Sequence, residues 1–133
     1  MTLTPLDLGI LERELGSDPE FNLHRAHFDA KIRVVIGDTQ SFQLIIRDGI
    51  DIVVDPVVTP FDGFDIQLLG SEDHWSKLLA PIPPAFYQDF YPAMVHHGFR
   101  IEGDMEMIYA FLPAIRRLGD IFRTVAATTE AAA

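Results

Sequence analysis

The side chains best suited to acid–base chemistry gather in one stretch. His96 and His97 are adjacent, and Tyr87 and Tyr91 lie a few residues upstream. A phenol beside an imidazole can polarise a carbonyl or protonate an enolate, the work of an isomerase, and the same groups would serve a hydrolase-type proton transfer. If the chain is an enzyme, His97, Tyr87 and Tyr91 are its catalytic candidates. Each also has a plainer role. Neighbouring residues on regular structure point in different directions, so His96 and His97 do not chelate one ion from one face, and imidazoles suit a helix C-terminus. Tyrosines on a helix commonly bury the ring and leave the hydroxyl at the surface.

Other polar groupings are weaker. His24 and His27 are three apart but have no acidic partner at ligand spacing, so surface positions are expected. Asp51, Asp55, Asp62 and Asp65 lack the spacing of a calcium loop. They are expected to offset Lys31, Arg33 and Arg47 across the outside of a sheet. There is no glycine-rich phosphate cradle, no HExxH and no cysteine. No metal and no cofactor are expected.

The apolar set speaks louder. Trp75, Phe86, Phe90, Met94, Phe99, Met105, Met107, Tyr109 and Phe111 are mostly core-forming types, but methionine adapts to variable shapes. Three of the four methionines fall between Met94 and Met107. Core plus one pocket wall is the combined expectation.

Positioning these residues requires the following elements. Thr4-Pro5 offers a helix start, Leu8, Leu11 and Leu15 one apolar stripe, and Gly16 a stop. Four segments then alternate with period two: Phe28–Ile36, Ser41–Arg47, Ile50–Asp55 and Phe64–Leu69. Each has one nearly all-apolar face, which predicts a sheet covered on one side. Side-chain parity rejects a two-residue turn at Asp48-Gly49, because Ile46 would face Asp51. A three-residue loop, Arg47-Asp48-Gly49, would set Ile46 opposite Ile50. Ser71 caps a helix through Leu79, and Pro81, Pro83 and Pro84 end it. Ala85–His96 is expected to be helical, made irregular by Pro92, with Phe86, Phe90 and Met94 on one face. Phe99–Glu102 is a strand that ends at Gly103, and Asp104 caps the last helix. That helix is apolar on nearly every side from Met105 to Ile115, so it needs cover on two sides or lines a cavity. Pro113 should kink or break it near Ala110–Pro113. Ile115, Leu118 and Phe122 would then pack elsewhere, across a dimer interface.

Bulk properties narrow the function. A chain of 133 residues with 48% hydrophobic and 23% charged residues is expected to form one globular domain, residues 1–122, with 123–133 as a disordered tail. A net charge of −10 argues against nucleic acid and against docking on anionic membranes. Met1–Leu11 has no basic residue and Asp7 interrupts its apolar positions, so no signal peptide is expected. No apolar run reaches the ~20 residues needed to span a bilayer. A cytoplasmic location is the expectation.

In its order of elements the chain resembles the sterol carrier protein type 2 family. The resemblance rests on the strand–Asp-Gly–strand at Phe42–Val54, the strand entering a Ser-Glu-Asp helix at Phe64–Leu79, and the strand–Gly-Asp–helix at Phe99–Leu112. Together they cover roughly Phe28–Leu118. Pro81–His97 is longer and more polar than the family's usual link. A cone of the ketosteroid isomerase kind fits less well, since its helices precede most of its strands. The resemblance implies an α+β fold, a five-stranded mixed and mainly antiparallel sheet with helices on one face, enclosing an apolar tunnel. It implies binding or carriage of a hydrophobic small molecule, sterol-like, terpenoid or acyl. The expected ligand-binding residues are Leu44, Ile52, Ile66, Trp75, Phe86, Phe90, Met94, Phe99, Met105, Ile108 and Leu112. A homodimer is one expected partner. An enzyme of lipid or steroid metabolism, with this chain as its accessory subunit, is the other; Val35, Ile45, Val53 and Leu69 on the outer face would supply the contact.

Overall fold

The alternation of apolar residues in the middle of the chain builds a five-stranded sheet. A computed structural model describes residues 3–48, 51–59 and 61–132. Helices α1 (Leu8–Ser17) and α2 (Pro19–His24) precede strands β1 (Ala30–Ile36), β2 (Gln40–Arg47), β3 (Asp51–Asp55) and β4 (Ile66–Gly70). Then come α3 (Glu72–Leu78), α4 (Phe90–His97), β5 (Arg100–Gly103), α5 (Met105–Ala110) and α6 (Leu112–Ala132). The strand order is β3-β2-β1-β4-β5, with β1 and β4 parallel and every other pair antiparallel. The fold is α+β, as the resemblance implies.

One face of the sheet presents Ile32, Val34, Phe42, Leu44, Ile66 and Leu68, all buried. The α6 stripe of Ile115, Leu118, Phe122 and Val125 belongs to the same core. Phe122 meets Phe42, Trp75 and Phe90 within this chain, so these α6 side chains are core residues and not the dimer contact expected of them. Helix α1 runs beside the edge strand β3, where the Val54 amide donates to Glu12 Oε2 at 2.9 Å and so is not left open for pairing.

Several boundaries differ from the sequence expectation, each for a local reason. The first helix begins at Leu8 because Asp7, not Thr4, caps it, its carboxylate accepting from Gly9 and Ile10. The β2–β3 loop is shifted by one residue. Arg47 stays in the strand opposite Asp51, and Ile46 faces Ile52 rather than Ile50. Asp48 turns the chain with φ 54°, its amide donating to the Asp29 carboxylate. Side-chain parity is preserved; Gly49 and Ile50 lie outside the described residues. Ala85–Asp89 is not helical: Phe86 has φ 68°, and α4 starts only at Phe90. Pro92 therefore falls in the first turn, where its missing amide costs nothing.

At the other end the chain follows the pattern closely. Asp104 caps α5, and Gly103, at φ 125°, passes so near Asp65 that an added Cβ would lie 2.1 Å from its carbonyl oxygen. The helix breaks at Phe111, and Pro113 sits in the first turn of α6. Helix α6 continues to Ala132 with Val125 buried, so residues 123–132 are helical where a disordered tail over 123–133 is expected from the sequence. No described helix is long and apolar enough to cross a membrane.

Candidate functional site

A cleft of about 840 Å³ opens where α4, α5 and α6 meet α2. Phe111 separates α5 from α6, and Tyr109 before the break and Leu112 and Pro113 after it line the cleft. Tyr91 and Pro92 supply the α4 wall, Glu20 and His24 the α2 wall, and Arg116, Arg117 and Asp120 the α6 wall. Asp89 lies at the base of α4.

Its electrostatics are uneven. Arg117 grips Asp18 with two hydrogen bonds, Nε to Oδ2 at 3.0 Å and Nη2 to Oδ1 at 2.8 Å. It also reaches Glu20 at 3.2 Å and Asp120 at 3.6 Å. The Arg117 hydrogen bond holds the Asp18 carboxyl below its ordinary range against an opposing burial effect, and the guanidinium in turn titrates far above any working pH. His24 lies 3.8 Å from Glu20.

Asp89 is the contrast. Burial pushes its carboxyl up, and the nearby Phe90 and Tyr91 amides and the charge of Arg116 only partly draw it back. No cap hydrogen bond forms, and Oδ1 is the one buried side-chain polar atom without a partner among the described residues. Tyr91 and Tyr109 meet edge to face, ring centres 6.5 Å apart. Hydrogen bonding with Tyr109 raises the Tyr91 phenol above its usual range.

The sequence-selected residues divide sharply. Leu112 lines the cleft. Trp75, Phe90 and Phe99 instead pack on one another at 5.4–5.6 Å, and the Trp75 indole donates to the Val35 carbonyl at 2.9 Å. Leu44, Ile66 and Ile108 are buried, while Ile52 and Met94 pack partly buried against the core. The space expected to be a tunnel between sheet and helices thus holds an interlocked aromatic cluster in this conformation. Phe86 and Met105 are 45% and 48% exposed and line no part of the cleft. Met105 and Tyr109, one turn apart on α5, are exposed, and Tyr109 lines the cleft, so of the two alternatives expected for this helix its first turns border an opening rather than being covered on two sides.

The catalytic candidates are split as well. Tyr87 is buried with its ring flat on His97, centres 4.2 Å apart, and His97 Nε2 bonds the Ala85 carbonyl at 2.9 Å. His74 accepts from the Ser71 amide on Nδ1, so its Nε2 donates to the His97 carbonyl at 2.9 Å. These imidazoles staple the 80–89 segment to α3 and α4. His96 stacks on Phe86. Tyr91 belongs to the cleft, apart from this staple, so the expected trio is not assembled. No group of three or more potential metal-ligating side chains occurs among the described residues.

Of the outer-face carboxylates, Asp51 stands opposite Arg47 in the β2–β3 register and its charge acts on Arg25, while the other three cap backbone amides. Asp55, Asp62 and Asp65 accept from the amides of Val57, Thr59 and Lys31. Arg33 bonds Gln67 and lies 4.3 Å from the Phe64 ring centre.

Sequence reasoning passed over Asp89, Arg116, Arg117 and Asp120 as site residues. The available signal was the Arg116-Arg117 pair, followed by Asp120, in a chain of only 10 basic residues against 20 acidic ones.

Comparison with solved structures decides the architecture. A crystal structure of sterol carrier protein 2 superposes with a TM-score of 0.67 at 11% identity, covering 89% of this chain and 94% of that one. The chain has the fold of sterol carrier protein 2. A solution structure of a Thermus thermophilus protein, described as possibly a sterol carrier protein, matches at 0.64 and 10% identity over 93% of this chain and 91% of that one. The ubiquinone synthesis protein UbiJ-SCP2 matches at 0.53 and 18% identity over 86% and 90%. No family model matches the sequence, and neither does any curated protein.

Proposed function

We propose that the protein binds or carries a hydrophobic small molecule, sterol-like, terpenoid or acyl, without catalysing its conversion. The observation that carries this reading is the cleft at the α5–α6 break. At about 840 Å³ it is of the size of small-molecule sites, ~300–1,000 Å³, and among its charged lining residues Pro92, Leu112 and Pro113 with the Tyr91 and Tyr109 rings supply an apolar strip. The hydrocarbon would lie on Leu112, Pro92 and Pro113 and against the Tyr91 and Tyr109 rings. Leu112 is the point where the sequence-selected ligand set meets this cleft. Of the other members, Met94 and Ile108 lie on α4 and α5, the helices that border the opening, without lining it.

A second reading, an accessory subunit of a lipid-metabolising enzyme, has one observation in its favour. Val57 and Phe61, on the segment between β3 and β4, are 67% and 95% exposed. The similarity to a ubiquinone synthesis protein is compatible with it.

Native mass spectrometry of the protein purified from its own host separates the two. A near-stoichiometric small hydrophobic adduct is expected. A second polypeptide with no small-molecule adduct would replace carriage by the subunit reading.

A further inference from the structure

Burial alternates along β1, so the sheet has a second face, with Lys31, Arg33 and Val35, that turns away from the helical core. The segment between β3 and β4 crosses this face. Gln43 on β2 donates to its Gly63 carbonyl at 3.0 Å, and the Arg33 guanidinium lies 4.3 Å from the centre of its Phe64 ring. Three apolar side chains stand clear of the surface here. Val53 on β3 is 41% exposed, and Val57 and Phe61 on the crossing segment are 67% and 95% exposed.

Strand register puts four cations on this face, Lys31, Arg33, Arg47 and Arg100, against three carboxylates, Asp51, Asp55 and Glu102. Asp62 and Asp65 on the crossing segment make it four against five. In a chain of 10 basic and 20 acidic residues this side is close to neutral, and the acidic excess lies elsewhere. Its polar groups also satisfy one another. Arg33 donates to Gln67 and Gln67 to Glu102, both at 2.8 Å, and Glu102 accepts from Arg100 as well. Pairing of this kind lowers the cost of covering them.

We infer that this face docks a second copy of the chain about a two-fold axis, with Phe61, Val57 and Val53 as apolar anchors. Charge selects the occupant. Copies that each carry −10 repel through an acidic face, whereas the near-neutral one lets them meet, and charges beyond ~8 Å are screened at physiological salt. The same balance offers no positive field to nucleic acid or an anionic membrane. A two-fold contact sets each patch against its own copy, so one surface suffices for both partners. Five strands ~4.8 Å apart and about five residues long span about 24 by 17 Å, ~400 Å² per copy before the crossing segment adds its own surface. Doubled, that approaches the ~1,000 Å² a specific interface needs. Such a contact leaves the cleft among the helices open, and it covers with a second copy the residues that favour the accessory-subunit reading.

Sedimentation equilibrium of wild type and four variants tests this, with thermal melts to confirm folding. Wild type should approach twice the chain mass of 14.9 kDa at about 100 µM and dissociate on dilution, as a contact at the small end of the size range does. Phe61→Asp and Val53→Asp should each weaken the dimer at least about tenfold, the scale of a lost apolar anchor. Phe61 is so exposed that its replacement leaves the core untouched. Arg100→Glu should also weaken the dimer several-fold. Arg13→Glu, the same charge change at an exposed site on α1, should alter it less than about twofold. A wild type still at single-chain mass at about 500 µM would overturn the inference and leave the face to a different polypeptide. A dimer that survives both aspartate variants, or that responds equally to Arg100→Glu and Arg13→Glu, would overturn it too.

Discussion

Replacing Arg117 with methionine probes the strongest electrostatic joint of the cleft. The side chain links α6 to the start of α2 through two bonds to Asp18, which also caps α2 by accepting from the Phe21 amide at 2.7 Å. Side-chain exposures of 31% for Arg117 and 12% for Asp18 place the pair between surface and interior. Exposed pairs contribute ~0–1 kcal/mol, and breaking a buried pair costs ~3–5 kcal/mol, so about 2 kcal/mol is expected here. For 133 residues the unfolding entropy is about 0.3 kcal/mol/K, which converts the loss into a Tm drop of about 7 °C. The sign of the pH dependence follows from Asp18. Its carboxyl titrates below the unfolded value of 3.8, chiefly because Arg117 hydrogen-bonds it. The contribution is therefore complete above the unfolded value and is lost as pH falls through the native one. Thermal melts by circular dichroism between about pH 3 and pH 7, for wild type, Arg117→Met, Asp18→Asn and the double variant, measure both effects. The gap between wild type and Arg117→Met should be full near neutrality and narrow in acid. A gap below about 2 °C near neutrality, or one that does not narrow in acid, would refute the assignment of this joint.

Three further outcomes follow from the same structure. Leu112→Trp should crowd the cleft and weaken a neutral fluorescent sterol or alcohol probe by about tenfold in titration while the protein stays folded, since one lost apolar contact of ~1–3 kcal/mol corresponds to that range. Asp89→Asn should raise the Tm near neutral pH by up to the equivalent of ~1 kcal/mol, reduced by the carboxyl's partial exposure. Because burial raises this carboxyl, the native charged form costs stability as pH rises above 3.8, so the Tm gain should vanish below that value. Gly103→Ala should cost more than ~2 kcal/mol in urea denaturation, as the new Cβ meets the Asp65 carbonyl in a backbone conformation that L residues rarely adopt.

The strands were legible because period-two alternation reports a half-buried sheet directly, and Ser71 and Asp104 announced their helices by side-chain chemistry alone. Pro113 likewise marked the α5–α6 break through its missing amide. Less legible was anything that depends on which apolar side chains meet. Trp75, Phe90 and Phe99 have the same composition whether they enclose a tunnel or fill it, and packing against Phe122 decided for filling. Phe86 misled because a left-handed φ at a non-glycine position has no local signature, and it removed Ala85–Asp89 from the helix. The polar rim of the cleft was hidden for another reason. Arg117 and Asp18 are 99 residues apart, and nothing local to either announces the other.

The claim that a hydrophobic ligand enters at the α5–α6 break is tested most directly by mapping amide chemical-shift changes while a fatty acid is titrated into isotope-labelled protein. The largest saturable changes should fall on Tyr91, Tyr109, Leu112 and Arg116, with Leu44 and Ile66 on the sheet nearly still. Changes centred on Leu44, Ile66 and Trp75, or no saturable changes anywhere, would contradict it.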